Sequence, residues 1–190
     1  MKKLFIIAGL IFAGISTNAQ LYMGARFDII AEQINNDAGD KKTSKASIGM
    51  YADLGYHITA KMDIGAEYGG TLGFTKNHTS DTKDNTANWL FSPYLRYSVF
   101  QKGNFELLGK GSFILEGSKT YYLVGIQVVP VIAYHLNDHI ALQTNLNFFN
   151  FGVSFNKIKD GDARTYFNLG GNSSNVVNLG NLTIGFIYKF

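Results

Sequence analysis

An eight-stranded antiparallel up-and-down transmembrane β-barrel, an all-β fold, is the fold class that this 190-residue sequence predicts, and three observations carry the prediction. The last nine residues, 182–190, read L-T-I-G-F-I-Y-K-F. They are apolar or aromatic at Leu182, Ile184, Phe186, Tyr188 and Phe190, and they stop on an aromatic where a soluble chain usually frays. Beyond Leu21 no window approaches the roughly 18 consecutive apolar residues of a spanning helix, so a mature chain that crosses a bilayer does so as strands. Eight alternating segments follow one another, joined by connections that are in turn long and polar or short and tight.

In chain order, residues 1–19 come first. Lys2 and Lys3 form a basic region, 4–15 an apolar run of about twelve residues against the roughly 20 of a membrane span, and Ser16-Thr17-Asn18-Ala19 a small, polar cleavage region. This predicts a cleaved secretory signal, 1–19, followed by one barrel domain, 20–190, with no linker. The predicted strands are 21–31, 46–58, 62–75, 88–100, 105–116, 122–136, 140–149 and 177–190, each near the roughly 9 to 11 residues of a tilted membrane strand plus overhang. Connections 32–45, 76–87 and 150–176 are long and polar, 59–61, 101–104 and 137–139 are tight turns, and 117–121 is short for its place. The even strand count puts both termini on the side of the tight turns.

Three features strain the pattern. Pro93 and Pro130 fall in strands with neighbours on both sides, where each removes a ladder hydrogen bond and predicts a bulge. Val129 and Val131 make the sixth strand apolar on both faces. Alternation breaks around 148–151, where the seventh strand is expected to bulge or end.

The period of two assigns the faces. A lipid face without charge runs from Met23, Ala25 and Phe27 through Ile48, Met50, Ala52, Leu54 and Tyr56 to the closing strand. Its aromatics collect at two heights: Tyr56, Tyr97, Phe105, Tyr134, Tyr188 and Phe190 near the tight turns, and Phe27, Phe74, Trp89, Phe91, Phe113, Tyr122 and Phe148 near the long connections. Two such belts are what amphipathic rings form at two membrane interfaces. The other face holds a lumen network of Arg26, Asp28, Asp53, Glu67, Arg96, Glu106, Lys110 and Glu116, accompanied by Tyr51, Asp63, Tyr94, Gln127, Gln143, Asn145, Asn147 and Lys189. Eight strands enclose an interior that side chains just fill, which predicts paired charges and a closed lumen rather than a pore or ion path.

Composition narrows the chemistry. The chain has 21 Gly, 15 Phe, 11 Tyr and 2 Pro, and no Cys, so it has neither a disulfide framework nor thiolate chemistry. Without Lys2 and Lys3 the 17 basic residues become 15 against 14 acidic ones, a balance that gives no argument for nucleic acid. His57, His78, His135 and His139 are scattered, and none has metal-motif spacing; those near the tight turns are read as rim residues. Asp37 with Asp40, and Asp160 with Asp162, lack the full spacing of a calcium loop and are read as solvated turns. Ser154 and His135 are the nearest thing to a nucleophile and base, one in connection 150–176 and the other in strand 122–136. The sequence therefore assigns no catalytic, cofactor-binding or metal-binding residues.

On its terminal Phe190 with Tyr188, its signal and its strand count, the chain resembles the outer-membrane protein β-barrel domain family, in the build of the small OmpA and OmpX type barrels. The resemblance implies a Gram-negative outer-membrane location, Tyr188 and Phe190 as the assembly signal read by the barrel-insertion machinery, and a monomer surrounded by outer-membrane lipids. It also implies a structural or interaction role, in adhesion or envelope integrity, without enzymatic activity or cofactor. Within that role 150–176 is the expected segment for an extracellular partner, because it is the longest connection and combines Lys157, Lys159 and Arg164 with Tyr166 and Phe167. Two other classes compete. A secreted lipocalin-like barrel binding a small ligand requires an apolar lumen, and an outer-membrane lipid-modifying enzyme requires a convergent catalytic set at the rim.

Overall fold

Side chains two apart share one face of a strand, and this alternation organises the whole chain. The computed structural model describes residues 20–35, 42–77, 82–146, 150–158, 163–169 and 181–190. Its strands are β1 (Leu21–Asn35), β2 (Lys42–Thr59), β3 (Met62–Asn77), β4 (Thr82–Lys102), β5 (Phe105–Ser118), β6 (Tyr121–His135), β7 (Ile140–Asn145), β8 (Phe151–Ile158), β9 (Ala163–Leu169) and β10 (Asn181–Lys189). The predicted signal, 1–19, lies outside the described residues, as do Asp37, Asp40, His78, Asn147, Phe148, Lys159, Asp160 and Asp162.

Eight strands close a ring. β1 to β6 pair antiparallel in chain order, β6 pairs β7, β7 pairs β10, and β10 returns to β1 from Tyr22↔Lys189 to Ile30↔Asn181. A backbone bond from Phe190 to the Leu21 carbonyl (3.0 Å) extends this seam to the end that carries the tight turns, and one from His57 to the Gln20 carbonyl (3.0 Å) does the same for the β1–β2 pairing. The fold is an eight-stranded antiparallel barrel whose closure removes the sheet edges around the ring.

The seventh stave departs from the sequence reading. Strand 140–149 stops at Asn145, and what was read as a long connection, 150–176, holds β8 and β9, which continue along β6 and turn back as an antiparallel pair. Val131 pairs with Asn145 on one side of the break and Val128 with Phe151 on the other, so five residues of sequence separate these pairings on one stave and two, Val129 and Pro130, on β6. Pro130 has no N–H to offer a neighbour there, while its carbonyl accepts from Leu146 N–H at 2.8 Å. The expected accommodation of Pro130 is thus made by its neighbour, as an interruption. Pro93 differs from expectation. Register across it is unbroken, from Phe91↔Leu115 to Tyr94↔Ser112, and the bulge of β4 lies at Val99.

Burial follows the alternation. Along β2, Met50 is 60% exposed, Tyr51 7%, Asp53 3% and Leu54 56%. Neighbouring residues thus face opposite media. The exposed set includes Phe27, Phe74, Trp89, Phe91, Phe113 and Tyr122 toward the long connections, and Tyr97, Phe105, Tyr134, Tyr188 and Phe190 toward the tight turns. In the second group Phe105 meets Tyr134 edge-on at 5.3 Å, and Tyr188 meets Phe190 at 5.2 Å. The inward side of the sixth stave is apolar too: Val131 and Ala133 pack with Leu108. This floor of branched side chains is why β6 reads as apolar on both faces.

One glycine sets the bore. A Cβ on Gly55 would overlap the ring and hydroxyl of Tyr22, which lies fully buried across from it on β1. Gly55→Val is expected to cost about 1–3 kcal/mol by forcing that ring aside, read as a lower urea midpoint for the refolded barrel.

Candidate functional site

The polar interior is a connected set of side chains delivered by the inward phase of β1 to β5 and β7. Glu67 lies at its centre, with Lys110 Nζ at 2.5 Å and Arg26 at 3.4 Å from its two carboxylate oxygens. Arg26 also meets Asp28 at 3.4 Å and lies over the Tyr51 ring at 4.2 Å. Lys110 sits 4.5 Å above the Tyr94 ring, whose hydroxyl donates to Asp53 at 2.5 Å and stands 2.7 Å from the Tyr22 hydroxyl. Arg96 completes the band. It pairs with Asp63 at 3.1 Å, donates to Gln143 at 3.0 Å, and faces the rings of Tyr22 and Tyr94.

Such groups tolerate burial when paired or hydrogen-bonded: Glu67, Arg96 and Lys110 are in ion pairs and Asp53 accepts from Tyr94, while Arg26 Nε, Asp28 Oδ1, Asp53 Oδ2 and Arg96 Nε have no hydrogen-bond partner among the described residues. Asp53, Glu67, Arg96 and Lys110 are all buried. The rings of Tyr22, Tyr51 and Tyr94 fill the space between the charges, which a smaller polar residue would leave to water.

Open space lies at both ends of this band. Toward the long connections a cavity of about 320 Å³ is lined by Arg26, Asp28, Tyr51, Glu116, Gln127 and Asn150, among others. There Glu116 accepts from Tyr121 at 2.5 Å and from Asn88 at 3.2 Å, and Asn150 donates to Gln127 at 3.2 Å. Toward the tight turns a second cavity, about 590 Å³, is lined by His57, Asp63, Glu106, His135 and Lys189, among others. Neither cavity runs through the band. A bilayer recording of the refolded protein is expected to show no discrete conductance steps; steps of constant size would mean that the band does not fill the bore.

Of the eight residues read as a lumen network, Arg26, Asp28, Asp53, Glu67, Arg96 and Lys110 come together directly or through Tyr94. Glu106 and Glu116 stand apart, one at each end. Sequence reading passed over Tyr22, although the phase that sends Met23 outward sends Tyr22 inward. It also read His57 and His135 as rim residues. Both do stand at that rim, and each has a carboxylate partner there: His57 Nδ1 is hydrogen-bonded to Asp63 and its ring lies 5.0 Å from Tyr22, while His135 Nε2 is 2.8 Å from Glu106. Their partners are close across paired strands yet 6 and 29 residues away in sequence, beyond any short motif. His139 is exposed, as read, and stacks on Tyr188 at 5.9 Å.

Ser154 and His135 form no catalytic pair. Ser154 is in register with Gly125, ten residues along β6 from His135, which is roughly 33 Å of strand. Among the described residues no group of three or more His, Asp and Glu side chains could hold a metal ion. The proposed partner segment is likewise relocated: Lys157 lies on β8, and Arg164, Tyr166 and Phe167 lie on β9, in register with Asn156, Ser154 and Val153. They belong to a strand pair extending one stave of the barrel, rather than to an irregular loop.

No protein-family model matches the chain, and no curated protein matches it. Among solved structures it is similar to the crystal structure of Neisserial surface protein A (NspA), with a TM-score of 0.51 and 15% sequence identity, covering 91% of this chain and 99% of that one. At that identity the likeness is one of fold, an antiparallel β-barrel spanning nearly the whole of both chains.

Proposed function

We propose that the chain is a small outer-membrane barrel with a closed polar lumen, a structural or interaction component of the envelope in adhesion or envelope integrity, built like the OmpA and OmpX type barrels. The observation that carries this reading is the outward face. Large apolar side chains such as Met50, Leu54, Tyr68, Val99 and Ile126 stand exposed around the ring while the charges between them point inward. A soluble protein does not leave so continuous an apolar surface to water, whereas a bilayer requires it. In this reading residues 1–19 are a cleaved export signal, and Tyr188 with Phe190 form the signal read by the insertion machinery. The long connections then stand outside the cell, and the end of the β8–β9 pair nearest to them, where Lys157 is in register with Tyr122 and Arg164 with Asn156, is the part that meets a surface partner, while Tyr166 and Phe167 lie deeper, level with Gly125 and Ile126. The barrel works as a monomer without cofactor, and no catalytic chemistry is assigned to it.

The test is fractionation combined with gel mobility. The protein is expected in the outer-membrane fraction, soluble only in detergent, with a fast-migrating form in unheated samples that shifts on boiling. A detergent-free periplasmic product would overturn the reading.

A further inference from the structure

Beyond the aromatics near the long connections, the outward face changes character. Lys76 of β3 and Lys83 of β4 are directly opposed, and Lys76 is in register with Ser44 of β2. Two residues closer to the apolar belt runs the row Ala31, Ala46, Phe74 and Asn85, each the register partner of the next. These residues line a concavity of about 550 Å³ on the outside of the wall, with Lys45 at its edge. Both lysines are exposed, and the ion pairs among the described residues all lie elsewhere. Like charges directly opposite each other destabilise a strand pair, so this pair weakens the sheet unless an anion comes between them.

We propose that this concavity binds a phosphate-bearing lipid of the outer leaflet, its phosphate held between Lys76 and Lys83 and its acyl portion laid against Phe74, Ala46 and Ala31. Charge and position both select this ligand. The apolar row continues the lipid-facing surface, and the lysines begin where acyl chains give way to headgroups, the level at which basic side chains capture anionic lipids. The inference rests on the barrel being inserted with its long connections in the outer leaflet.

The experiment uses the refolded full-length mature chain in detergent micelles carrying bisphosphorylated lipid A, or the same lipid with its phosphates removed. Retained lipid is counted by native mass spectrometry, and stability is followed by thermal unfolding. The phosphorylated lipid is expected to stay bound and raise the melting temperature. The phosphate-free form, or the Lys76→Gln/Lys83→Gln variant with the phosphorylated lipid, is expected to bind about tenfold or more weakly. Lys61→Gln/Lys102→Gln, at the opposite end of the barrel, is expected to leave binding unchanged. Equal retention of the two lipids, unaltered retention by the Lys76/Lys83 variant, or the same stabilisation from inorganic phosphate alone would overturn the proposal. A folded, detergent-requiring barrel that gives any of these results defeats this inference only; a chain that stays soluble without detergent defeats the membrane reading beneath it.

Discussion

Glu67→Ala is expected to destabilise the barrel by about 3–5 kcal/mol, the loss that follows when one partner of a buried ion pair is removed. Glu67 lies 2.5 Å from Lys110 and shares Arg26 with Asp28, each at 3.4 Å, and Lys110 is itself buried. Its removal leaves Lys110 without its ion-pair partner and Arg26 with Asp28 alone, in a space closed by tyrosine rings, and the methyl of alanine fills little of the gap. Urea unfolding in lipid vesicles, followed by the fluorescence of the single tryptophan, Trp89, measures the change. The double variant Glu67→Ala/Lys110→Met is expected to recover part of the loss by removing one orphaned charge. A loss below about 1 kcal/mol, the range of solvent-exposed pairs, would mean that the bore is wet throughout.

Leu54→Arg is expected to cost about 2–4 kcal/mol if this position lies near the bilayer midplane. Leu54 is exposed on the outward face of β2, one residue from the buried Asp53, so the substitution sets a charge into the apolar surface without disturbing the lumen. The same change at Asn85, on the outward face level with Phe74 at the edge of the apolar belt, is expected to cost about 1 kcal/mol or less. Equal effects at the two positions would show that they face the same medium.

Much of this was legible in the sequence because a closed barrel has only two environments and a strict period of two to sort them. The run from Ile48 to Tyr56 fixes its faces by itself, and Asp53 and Tyr51 follow as inward residues. The failures come where register is set by a neighbouring strand. Five residues of sequence against two means three extra in the seventh stave, and an odd number reverses its phase: Leu142 points outward before the break, and Phe151, Val153 and Phe155 after it. Read in a single phase, residues 151–158 lose their pattern and pass for a loop, although F-G-V-S-F-N, 151–156, alternates when taken alone. The cause lies partly in Pro130, on another strand, which no local window connects to Asn150. The carboxylate partners of His57 and His135 are illegible for a similar reason: proximity to a turn is local, whereas those partners are fixed by cross-strand pairing.

In the proposed barrel the two faces of each strand meet different media, lipid outside and a packed polar interior within. A chain without cysteine permits a direct measurement. Single cysteines placed in turn from Met50 to Gly55 on β2, each carrying a small fluorophore, are reconstituted in vesicles whose acyl chains bear a bromine quencher. Strong quenching is expected at 50, 52 and 54 and weak quenching at 51 and 53, with position 55 failing to fold well because of Tyr22. Uniform quenching, or none at 50, 52 and 54 together with free labelling by a water-soluble maleimide at those sites, would contradict the claim.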